Sequence, residues 1–460
     1  MKIAFLTLGC KVNSYETEKM KQNFEEAGHQ IVSFSERADV YIINTCTVTN
    51  IADRKSRQML HRARRDNPDA VVAATGCYVD SAADRGEREE GIDFFVANKD
   101  KENIVEILEK SLAERKYVRR SSGDGVQEEA RMSEQAEKEQ HTRAYIKVQS
   151  GCNQYCAYCI IPYVRGELSS RPDKEIVREA EELAGRRFRE IVVTGIHLSS
   201  FGVDRQAGKI ESASFVELGG RPLLVLLKRL EQIEGIERIR LGSLEPRIIT
   251  EDFVRELSQI KKLCPHFHLS LQSGCDATLQ RMNRHYTTGE YLQGVKLLRQ
   301  YFENPAVTTD IIVGFPQEGS EEFEETCRFA KEAAFAMLHV FKYSRRQGTV
   351  ADAMEGQIDG QIKKSRSDKL LELGRLLEQE YQQHFIGRRE KVLLEEAAEI
   401  GGRRYLIGYN ERYVRIAVAV EDLTGEYGDI EEEWCNRIVE VVITGRLTEE
   451  ILQGSRKVEM

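Results

Sequence analysis

Three cysteines stand within eight residues of one another in the segment 152–159, CNQYCAYC. Thiols this close along the chain can converge on one metal centre without a disulfide being geometrically favoured. Thiolate sulfur selects zinc, copper(I) or an iron–sulfur cluster. Structural zinc sites and ordinary four-iron clusters take four protein ligands. Cys152, Cys156 and Cys159 therefore predict either a site with a distant fourth ligand, such as structural zinc, or an iron left open for chemistry.

A second set of cysteines occupies three equivalent places near the amino terminus: Cys10, Cys46 and Cys77. Each comes at the end of an apolar run of the buried-strand type, and these runs are 2–8, 40–44 and 70–75. Their repeated position after a strand predicts a second three-thiolate metal site. The alternative is three separate buried cysteines, because free cysteine packs as a small hydrophobic side chain.

The elements around these cysteines alternate between strands and helices. Amphipathic helical periods at 16–27 and 52–65 fall between or after the three apolar runs. Such alternation predicts right-handed βαβ units and a parallel sheet, whose carboxyl edge is where ligands bind. We therefore expect the three cysteines to stand on one edge of an amino-terminal parallel α/β domain, residues 1–117.

After a polar linker at 118–141, strands and helices alternate again through a predicted central domain, 142–364. The predicted strands are 144–148, 190–194, 238–241, 266–271, 307–313 and 337–343. Predicted helices between successive strands are 174–187, 222–234, 251–261, 288–302 and 321–333. Six such steps predict a partial (β/α)6 barrel, with the reacting groups at the carboxyl ends of its strands. The segment 152–159 follows the first strand, as this rule requires.

The last part of the chain has short alternating strands. A helical connector at 365–386 leads to strand patterns at 390–395, 404–418 and 436–443, which predict a small antiparallel β-barrel at 387–453. Barrels of this kind commonly bind RNA through basic and aromatic side chains. The candidates here are Tyr405, Tyr409, Tyr413, Arg412 and Arg415. The equally weighted alternative is that these aromatic side chains form the barrel core, because alternate strand positions must point inward.

Composition limits the class of protein. Ten cysteines in 460 residues, with the opening residues 1–6 read directly as a strand, predict a cytoplasmic, reducing setting without disulfides. No apolar stretch reaches the roughly 20 residues that span a bilayer, so we expect no membrane association. The net charge of −9 disfavours indiscriminate binding to nucleic acid. A basic run at 54–65 predicts a local binding surface, with a solvated helix face as the simpler alternative.

Across nearly its whole length the chain resembles the radical S-adenosylmethionine (SAM) methylthiotransferases. The segments 8–17 (LGCKVNSYET), 44–48 (NTCTV) and 75–78 (TGCY) match the amino-terminal domain of that family. The segments 150–166 (SGCNQYCAYCIIPYVRG) and 170–172 (SRP) match its radical SAM core. The segment 310–318 (DIIVGFPQE) resembles the strand and glycine turn that hold the adenine of SAM, and the carboxyl-terminal segment resembles the TRAM RNA-binding barrel.

The resemblance implies two [4Fe–4S] clusters, each with one open iron. Cys152, Cys156 and Cys159 are implied to hold the cluster that binds and cleaves SAM, while Cys10, Cys46 and Cys77 hold an auxiliary cluster for sulfur insertion. The implied reaction begins with removal of hydrogen from C2 of an adenine base, a position without an acidic proton. The SAM contacts that we expect lie at strand ends of the barrel: Thr194, Gly195, Ser243, Glu245, Gln272 and Gly314.

Within this family, Lys11 and Val12 resemble the branch that modifies N6-threonylcarbamoyladenosine in tRNA. The alternatives are methylthiolation of isopentenyladenosine in tRNA, methylthiolation of a ribosomal-protein side chain, and an iron–sulfur RNA-binding protein without enzymatic activity. The expected partners are tRNA and an electron donor of the flavodoxin or ferredoxin type, and the sequence leaves the sulfur source unknown. Cys264, Cys275, Cys327 and Cys435 show no cluster spacing and are expected to be structural.

Overall fold

The structure is a computed structural model that describes residues 1–84, 91–121, 142–206, 218–423 and 433–457. It forms two compact units. The amino-terminal unit comprises residues 1–139 and 159–166, and the carboxyl-terminal unit comprises residues 140–158 and 167–460. The predicted division of the chain into five segments stays a prediction. Within the described residues, no helix is long and apolar enough to cross a membrane.

The amino-terminal unit is built around a five-stranded sheet in the order β2-β1-β3-β4-β5. Every pairing in this sheet is parallel, as the alternation of strands and helices predicted. Its elements are β1 (Lys2–Thr7), α1 (Lys11–Glu26), β2 (Gln30–Val32), β3 (Val40–Thr45), α2 (Asn50–Asp66), β4 (Val71–Gly76), α3 (Cys77–Asp84), β5 (Phe94–Val96), α4 (Ile104–Ser121) and α5 (Ile161–Arg165).

Helices cover both faces of this sheet, which explains why β3 and β4 are buried at every position. Side chains of α1 and α4, including Phe24 and Leu108, pack on one face. Side chains of α2 and α3, including Leu60 and Val79, pack on the other. A strand buried on both faces loses the alternation of polar and apolar residues. Helix α4 continues to Ser121, into the predicted linker, whose residues 122–141 lie outside the described part of the chain.

The carboxyl-terminal unit begins with six parallel strands that match the predicted ones. Strands β6, β8 and β9 pair in parallel, and so do β10, β11 and β12. A parallel bridge between Leu244 and Leu269 joins the two groups. The elements are β6 (Arg143–Ser150), β7 (Ser169–Ser170), α6 (Asp173–Gly185), β8 (Glu190–Gly195), α7 (Val203–Gln206), α8 (Arg221–Leu230), β9 (Arg238–Leu241), α9 (Glu251–Leu257), β10 (His266–His268), α10 (Asp276–Arg281), α11 (Thr288–Tyr301), β11 (Ala306–Val313), α12 (Ser320–Ala333), β12 (Met337–Lys342), α13 (Val350–Ala353) and α14 (Gly360–Gln383).

A closed five-stranded barrel, the terminal barrel, follows α14 in the order β13-β14-β15-β17-β16. Its strands are β13 (Arg389–Ile400), β14 (Arg403–Tyr409), β15 (Arg415–Ala419), β16 (Ile438–Arg446) and β17 (Leu452–Ser455). The predicted antiparallel pairing holds for four of the five strand pairs, but β15 and β17 pair in parallel. The last strand, β17, follows β16 after a short turn and closes the barrel by pairing with β15.

Most residues of the predicted RNA-binding face of the terminal barrel make contacts within the protein, and RNA binding by this barrel stays a prediction. Tyr405 is 4% exposed and packs in a hydrophobic cluster with Ile407 and Ala417. The rings of Tyr409 and Tyr413 stack 4.5 Å apart, and the guanidinium of Arg143 lies 4.7 Å and 4.8 Å from their centroids. Arg412 donates to the backbone oxygen atoms of Glu303 and Asn304, at 2.9 Å and 3.0 Å. These side chains join the terminal barrel to the (β/α)6 barrel.

Arg415 is the remaining member of that predicted face, and its Nη2 donates to Glu396 Oε1 at 2.6 Å on the barrel surface.

The joint between the terminal barrel and the (β/α)6 barrel includes a buried ion network. Glu190, on β8, accepts from Arg240 Nε at 2.7 Å and lies 3.7 Å from Arg238 Nη1. Arg240 and Arg238 also donate to the backbone oxygen atoms of Glu411 and Tyr409 in the terminal barrel. Although burial opposes it, the charge of Arg240 keeps the pKa of Glu190 below its ordinary value.

We predict that Glu190→Gln destabilises this joint. The substitution leaves two buried guanidinium groups without their carboxylate, a change that typically costs about 3–5 kcal/mol. Glu237→Gln is the matched control, because Glu237 pairs with Arg189 at the surface, where an ion pair contributes at most about 1 kcal/mol. Thermal unfolding followed by circular dichroism should show a much lower midpoint for Glu190→Gln than for the control. Equal midpoints would contradict the role assigned to the network.

Candidate metal centres

The parallel sheet of the amino-terminal unit brings Cys10, Cys46 and Cys77 to one edge. The cysteines follow β1, β3 and β4, which are neighbours in the sheet. Cys46 and Cys77 are buried and Cys10 is exposed. Burial, with smaller contributions from the nearby charges of Cys77 and Cys10, raises the pKa of the Cys46 thiol to about 11. A metal that binds here must displace protons, so its affinity should rise with pH.

The turn before Cys10 depends on glycine. Gly9 has φ +106°, in the left-handed region, and a Cβ atom there would lie 3.0 Å from Cys46 Sγ. A larger residue would force the Cys10 turn away from Cys46. Gly76 precedes Cys77 with φ +99° and would place a Cβ against the backbone of Thr45. Close approach of the three turns therefore requires these two glycines.

Arg165, at the end of α5, donates a hydrogen bond to one of the three sulfur atoms. Its Nε lies 3.3 Å from Cys77 Sγ, its Nη1 lies 2.9 Å from Glu16 Oε1, and its Nη2 lies 2.6 Å from Asn13 Oδ1. The Arg165 side chain is only 2% exposed. Burial opposes its charge, but Cys77 and Glu16 keep the pKa of Arg165 above its ordinary value. The guanidinium group therefore stays charged beside the thiols.

Lys101 is a second buried cation in this network. Its Nζ donates to Glu16 Oε2 at 2.6 Å and to Asn44 Oδ1 at 3.0 Å. Asn13 donates in turn to the backbone oxygen atoms of Leu8 and Thr45, at 2.7 Å and 3.0 Å, and so fixes the turns that precede Cys10 and Cys46. Two cations thus share one carboxylate, Glu16. The carboxylate of Asp80 also lies within electrostatic range of both cations.

In the carboxyl-terminal unit, Cys152 and Cys156 lie on the loop after β6. Burial raises the pKa of Cys152 to about 12, against a backbone hydrogen bond at Gln154 that lowers it. Arg284 Nη1 donates to Cys156 Sγ at 3.1 Å and so repeats the arginine–sulfur contact of the first site. The loop is tied down by a hydrogen bond from Ala157 N to Met282 O, at 2.9 Å. Soft sulfur ligands suit zinc or an iron–sulfur cluster, and hydrogen bonds to sulfur such as that from Arg284 are a feature of iron–sulfur sites.

Cys159 comes two residues before α5 and is partly buried. It opens the segment 159–166, which belongs to the amino-terminal unit and ends with Arg165 and Gly166. Helix α5 therefore begins next to one predicted ligand of the second cysteine set and ends at the arginine that contacts Cys77. This short segment connects the two candidate centres along the chain.

All six predicted SAM contacts lie at carboxyl ends of the parallel strands. Thr194 and Gly195 end β8, Ser243 and Glu245 follow β9, Gln272 follows β10, and Gly314 follows β11. Thr194, Glu245, Gln272 and Gly314 are buried, whereas Ser243 is exposed. Gln272 has φ +74° and Gly314 has φ +71°, so the chain bends at both. Their role in binding SAM stays a prediction.

Glu245 is the best connected of these residues. Its carboxylate lies 2.9 Å from His197 Nε2 and 2.5 Å from Arg247 Nε. Arg247 Nη2 also donates to Gln154 Oε1 at 2.8 Å, on the cysteine loop. Burial opposes ionisation, but hydrogen bonds from His197 and Arg247 keep the pKa of Glu245 well below its ordinary value. Glu245 is thus a fixed anion that positions the loop, and not a proton donor.

Sequence reasoning missed the buried cations of both centres. Arg165 lies inside the segment 150–166 that was compared with the family, so that motif could have drawn attention to it. Lys101 and Arg284 have no such signal, because each stands far along the chain from the cysteine loops that it approaches.

In comparisons with known proteins, two family models match separate parts of the chain. Residues 2–97 match the model described as uncharacterized protein family UPF0004, and residues 146–330 match the radical SAM superfamily. A threonylcarbamoyladenosine tRNA methylthiotransferase, MtaB, from Bacillus subtilis is 38% identical over 432 residues, which are 92% of this chain and 92% of the relative.

A tRNA-2-methylthio-N(6)-dimethylallyladenosine synthase from Methylacidiphilum infernorum is 33% identical and covers 88% of this chain and 89% of its own. Among solved structures, the radical SAM methyltransferase TsrM from Kitasatospora setae aligns with a TM-score of 0.52 and 14% identity, over 76% of each chain. At this level of identity, the likeness to TsrM shows a shared fold alone.

We predict that Arg165→Met weakens iron binding by Cys10, Cys46 and Cys77. Loss of a hydrogen bond to a charged group should accelerate chelator-induced iron release about tenfold, and loss of the N–H donor should lower the reduction potential of the cluster. The measurement uses chains in which Cys152, Cys156 and Cys159 are alanine, so that iron in the amino-terminal site is observed by itself. Arg54→Met, at an exposed position on α2, is the control. Equal release rates and potentials in the two variants would contradict the prediction.

Proposed function

This chain belongs to the radical SAM methylthiotransferase family, and we propose that it adds a methylthio group to C2 of N6-threonylcarbamoyladenosine in tRNA. The relative with 38% identity over 92% of the chain carries that activity in its name. The relative named for dimethylallyladenosine is less similar, at 33% identity. Lys11 and Val12, at the start of α1, support the same choice of branch.

The observation that carries the proposal is the presence of two separate sets of three cysteines, each with a buried arginine beside one sulfur atom. Radical SAM enzymes in general need one such set. A second set on its own parallel sheet supports a second chemical task in the same chain, which sulfur insertion provides.

We infer that each set holds one [4Fe–4S] cluster with an open iron. When bound, the cluster on Cys152, Cys156 and Cys159 supplies, with SAM, a 5′-deoxyadenosyl radical able to remove the non-acidic hydrogen from C2. Glu245, His197 and Arg247 hold Gln154 and with it the cysteine loop. Arg284 fixes Cys156, and it is itself held by Tyr286, whose hydroxyl oxygen lies 2.9 Å from Arg284 Nε.

The turn after β11 is also held by charged side chains. Gly314 N donates to Glu318 Oε2 at 2.6 Å, and Arg366 Nη1 donates to the same oxygen at 2.6 Å. A Cβ on Gly314 would collide with the Lys363 side chain. This arrangement supports our proposal that the turn binds the adenine of SAM, because Glu318 and Arg366 hold the turn in place.

We propose that helix α2 of the amino-terminal unit contributes to tRNA binding. Arg54, Lys55, Arg62 and Arg65 are exposed on this helix, and the carboxylate of Asp66 accepts from Arg62 and Arg65. In the terminal barrel, Arg412, Tyr409 and Tyr413 form the joint with the (β/α)6 barrel, whereas other cations such as Arg389 and Lys391 are exposed. An electron donor of the flavodoxin or ferredoxin type and a cytoplasmic location remain predictions, and the sulfur source remains to be identified.

Replacing one cysteine from each set should separate the two tasks. Cys156→Ala should abolish 5′-deoxyadenosine production and lower iron content by about half, taking four irons for each site. Cys46→Ala should lower iron content similarly, yet leave SAM cleavage measurable while methylthiolated product disappears. Iron analysis, chromatography of 5′-deoxyadenosine and mass spectrometry of nucleosides give the three readouts. Cys435→Ala is the control, since Cys435 has no cluster spacing. Normal product from Cys46→Ala would refute a cluster at that site.

The substrate is tested with two tRNA preparations, one bearing threonylcarbamoyladenosine and the other isopentenyladenosine. Anaerobically reconstituted enzyme with SAM and dithionite should methylthiolate the first much faster than the second. Methylthiolation of only the isopentenyl substrate would overturn the choice of branch and leave the family assignment standing.

A further inference from the structure

The inner face of the (β/α)6 barrel carries three polar side chains on adjacent strands: His268 on β10, Asp310 on β11 and His339 on β12. Their possible ligand atoms all lie within 4.8 Å of one another. His268 Nε2 is 3.4 Å from Asp310 Oδ2, and the imidazole rings of His268 and His339 have centroids 5.8 Å apart. Asp310 pairs directly with His339 in the sheet register. We call these three residues the His–Asp–His cluster.

The strand alternation shows that this cluster faces away from the helices. Ile311 and Leu338, which are sequence neighbours of Asp310 and His339, pack in the core formed with the surrounding helices. Side chains point alternately to the two faces of a strand, so the cluster lies on the opposite, inner face. Ile312, the next inward residue on β11, packs with Ala157 and Tyr158 of the cysteine loop. Asp310 is therefore about 7 Å along the strand from that contact.

This inner face is not filled as a structural core would be. Barrel interiors are usually closed by layers of branched apolar side chains. Here the Asp310 side chain is 31% exposed, and Phe341, two residues after His339 on the same face, is 46% exposed. The His268 ring is fixed by its Nδ1, which lies 3.0 Å from Thr308 Oγ1. Polar groups that are held in place and yet reached by solvent are typical of a binding site.

We propose that the His–Asp–His cluster binds the threonylcarbamoyl group on N6 of the substrate adenine. This inference rests on the proposed function. C2 and C6 of adenine flank the same ring nitrogen, so a substituent on N6 lies close to the hydrogen that is removed and must be bound in the same cavity. The threonylcarbamoyl group presents a carboxylate and a hydroxyl. Imidazole N–H groups suit the carboxylate, and the Asp310 carboxylate suits the hydroxyl or a urea N–H.

The same chemistry accounts for discrimination against an apolar substituent. A dimethylallyl group would leave the buried side of the cluster without hydrogen-bonding partners. Sites built to hydrogen-bond a ligand strongly reject analogues that lack the matching polar groups. Phe341 offers an apolar surface beside the cluster against which a base or a methyl group can pack. The cluster thereby acts as the specificity-determining part of the cavity.

The test compares kcat/KM of His339→Leu and Asp310→Asn on tRNA with threonylcarbamoyladenosine and on tRNA with isopentenyladenosine. In each variant, kcat/KM for the threonylcarbamoyladenosine substrate should fall about 10- to 100-fold, the effect of a lost hydrogen bond to a charged group. The ratio of kcat/KM for this substrate to that for the isopentenyladenosine substrate should fall accordingly. SAM cleavage without tRNA shows whether each variant is folded and loaded. His384→Leu, an exposed histidine just after α14, is the matched control and should keep the wild-type ratio.

An unchanged ratio in both variants would overturn the proposal. A measurement of zinc in the purified holoenzyme tests the alternative of a metal site. One equivalent of zinc per chain that is lost in Asp310→Asn would show that the cluster binds a metal and does not bind the substrate directly. Failure of the wild-type enzyme to act on threonylcarbamoyladenosine would overturn the proposed function and this inference together, whereas wild-type activity with unaltered variants refutes this inference alone.

Discussion

Thiols from distant parts of a chain can share one metal only if the backbone delivers them to the same place, and parallel strand pairing does this in the amino-terminal unit. Strands β1, β3 and β4 run side by side in one direction, so the turns after them open on one edge. An antiparallel neighbour would send its cysteine to the opposite edge. The six parallel strands of the carboxyl-terminal unit apply the same constraint to the cysteine loop and to the polar strand ends around it.

Buried charge is the second recurring element, and it is always paired. Arg165 and Arg284 each donate to a cysteine sulfur, at 3.3 Å and 3.1 Å, and each is also held by other protein groups. Isolated buried charges cost too much free energy to persist, but the charge of a buried guanidinium is compensated by its hydrogen-bond partners, here a cysteine sulfur and other protein groups. Hydrogen bonds to sulfur tune iron–sulfur clusters, so in the function we propose these two arginines would influence the redox chemistry of each site.

In the terminal barrel, one pattern of side chains is compatible with two different roles, RNA binding and packing between barrels, which the sequence alone does not distinguish. Tyrosines and arginines near residues 405–415 have the composition of an RNA-binding face, yet Tyr409 and Tyr413 stack on each other and on Arg143. Cation–π contacts stabilise the packing of elements within a protein, and the same kind of side chain can also bind nucleic-acid bases. These side chains therefore hold the terminal barrel against the (β/α)6 barrel in this structure.

The sequence by itself determined the alternation of strands and helices, the parallel sheets and the position of the six candidate ligand cysteines after or between strands, because these depend on local periodicity and on spacing along the chain. Tertiary structure alone decided which charged side chains meet those cysteines. Lys101 and Arg284 reach their sites from distant segments, and the His–Asp–His cluster draws one residue from each of three strands. Contacts of this kind depend on how elements pack, and a single sequence carries no local signal of packing between residues far apart along the chain.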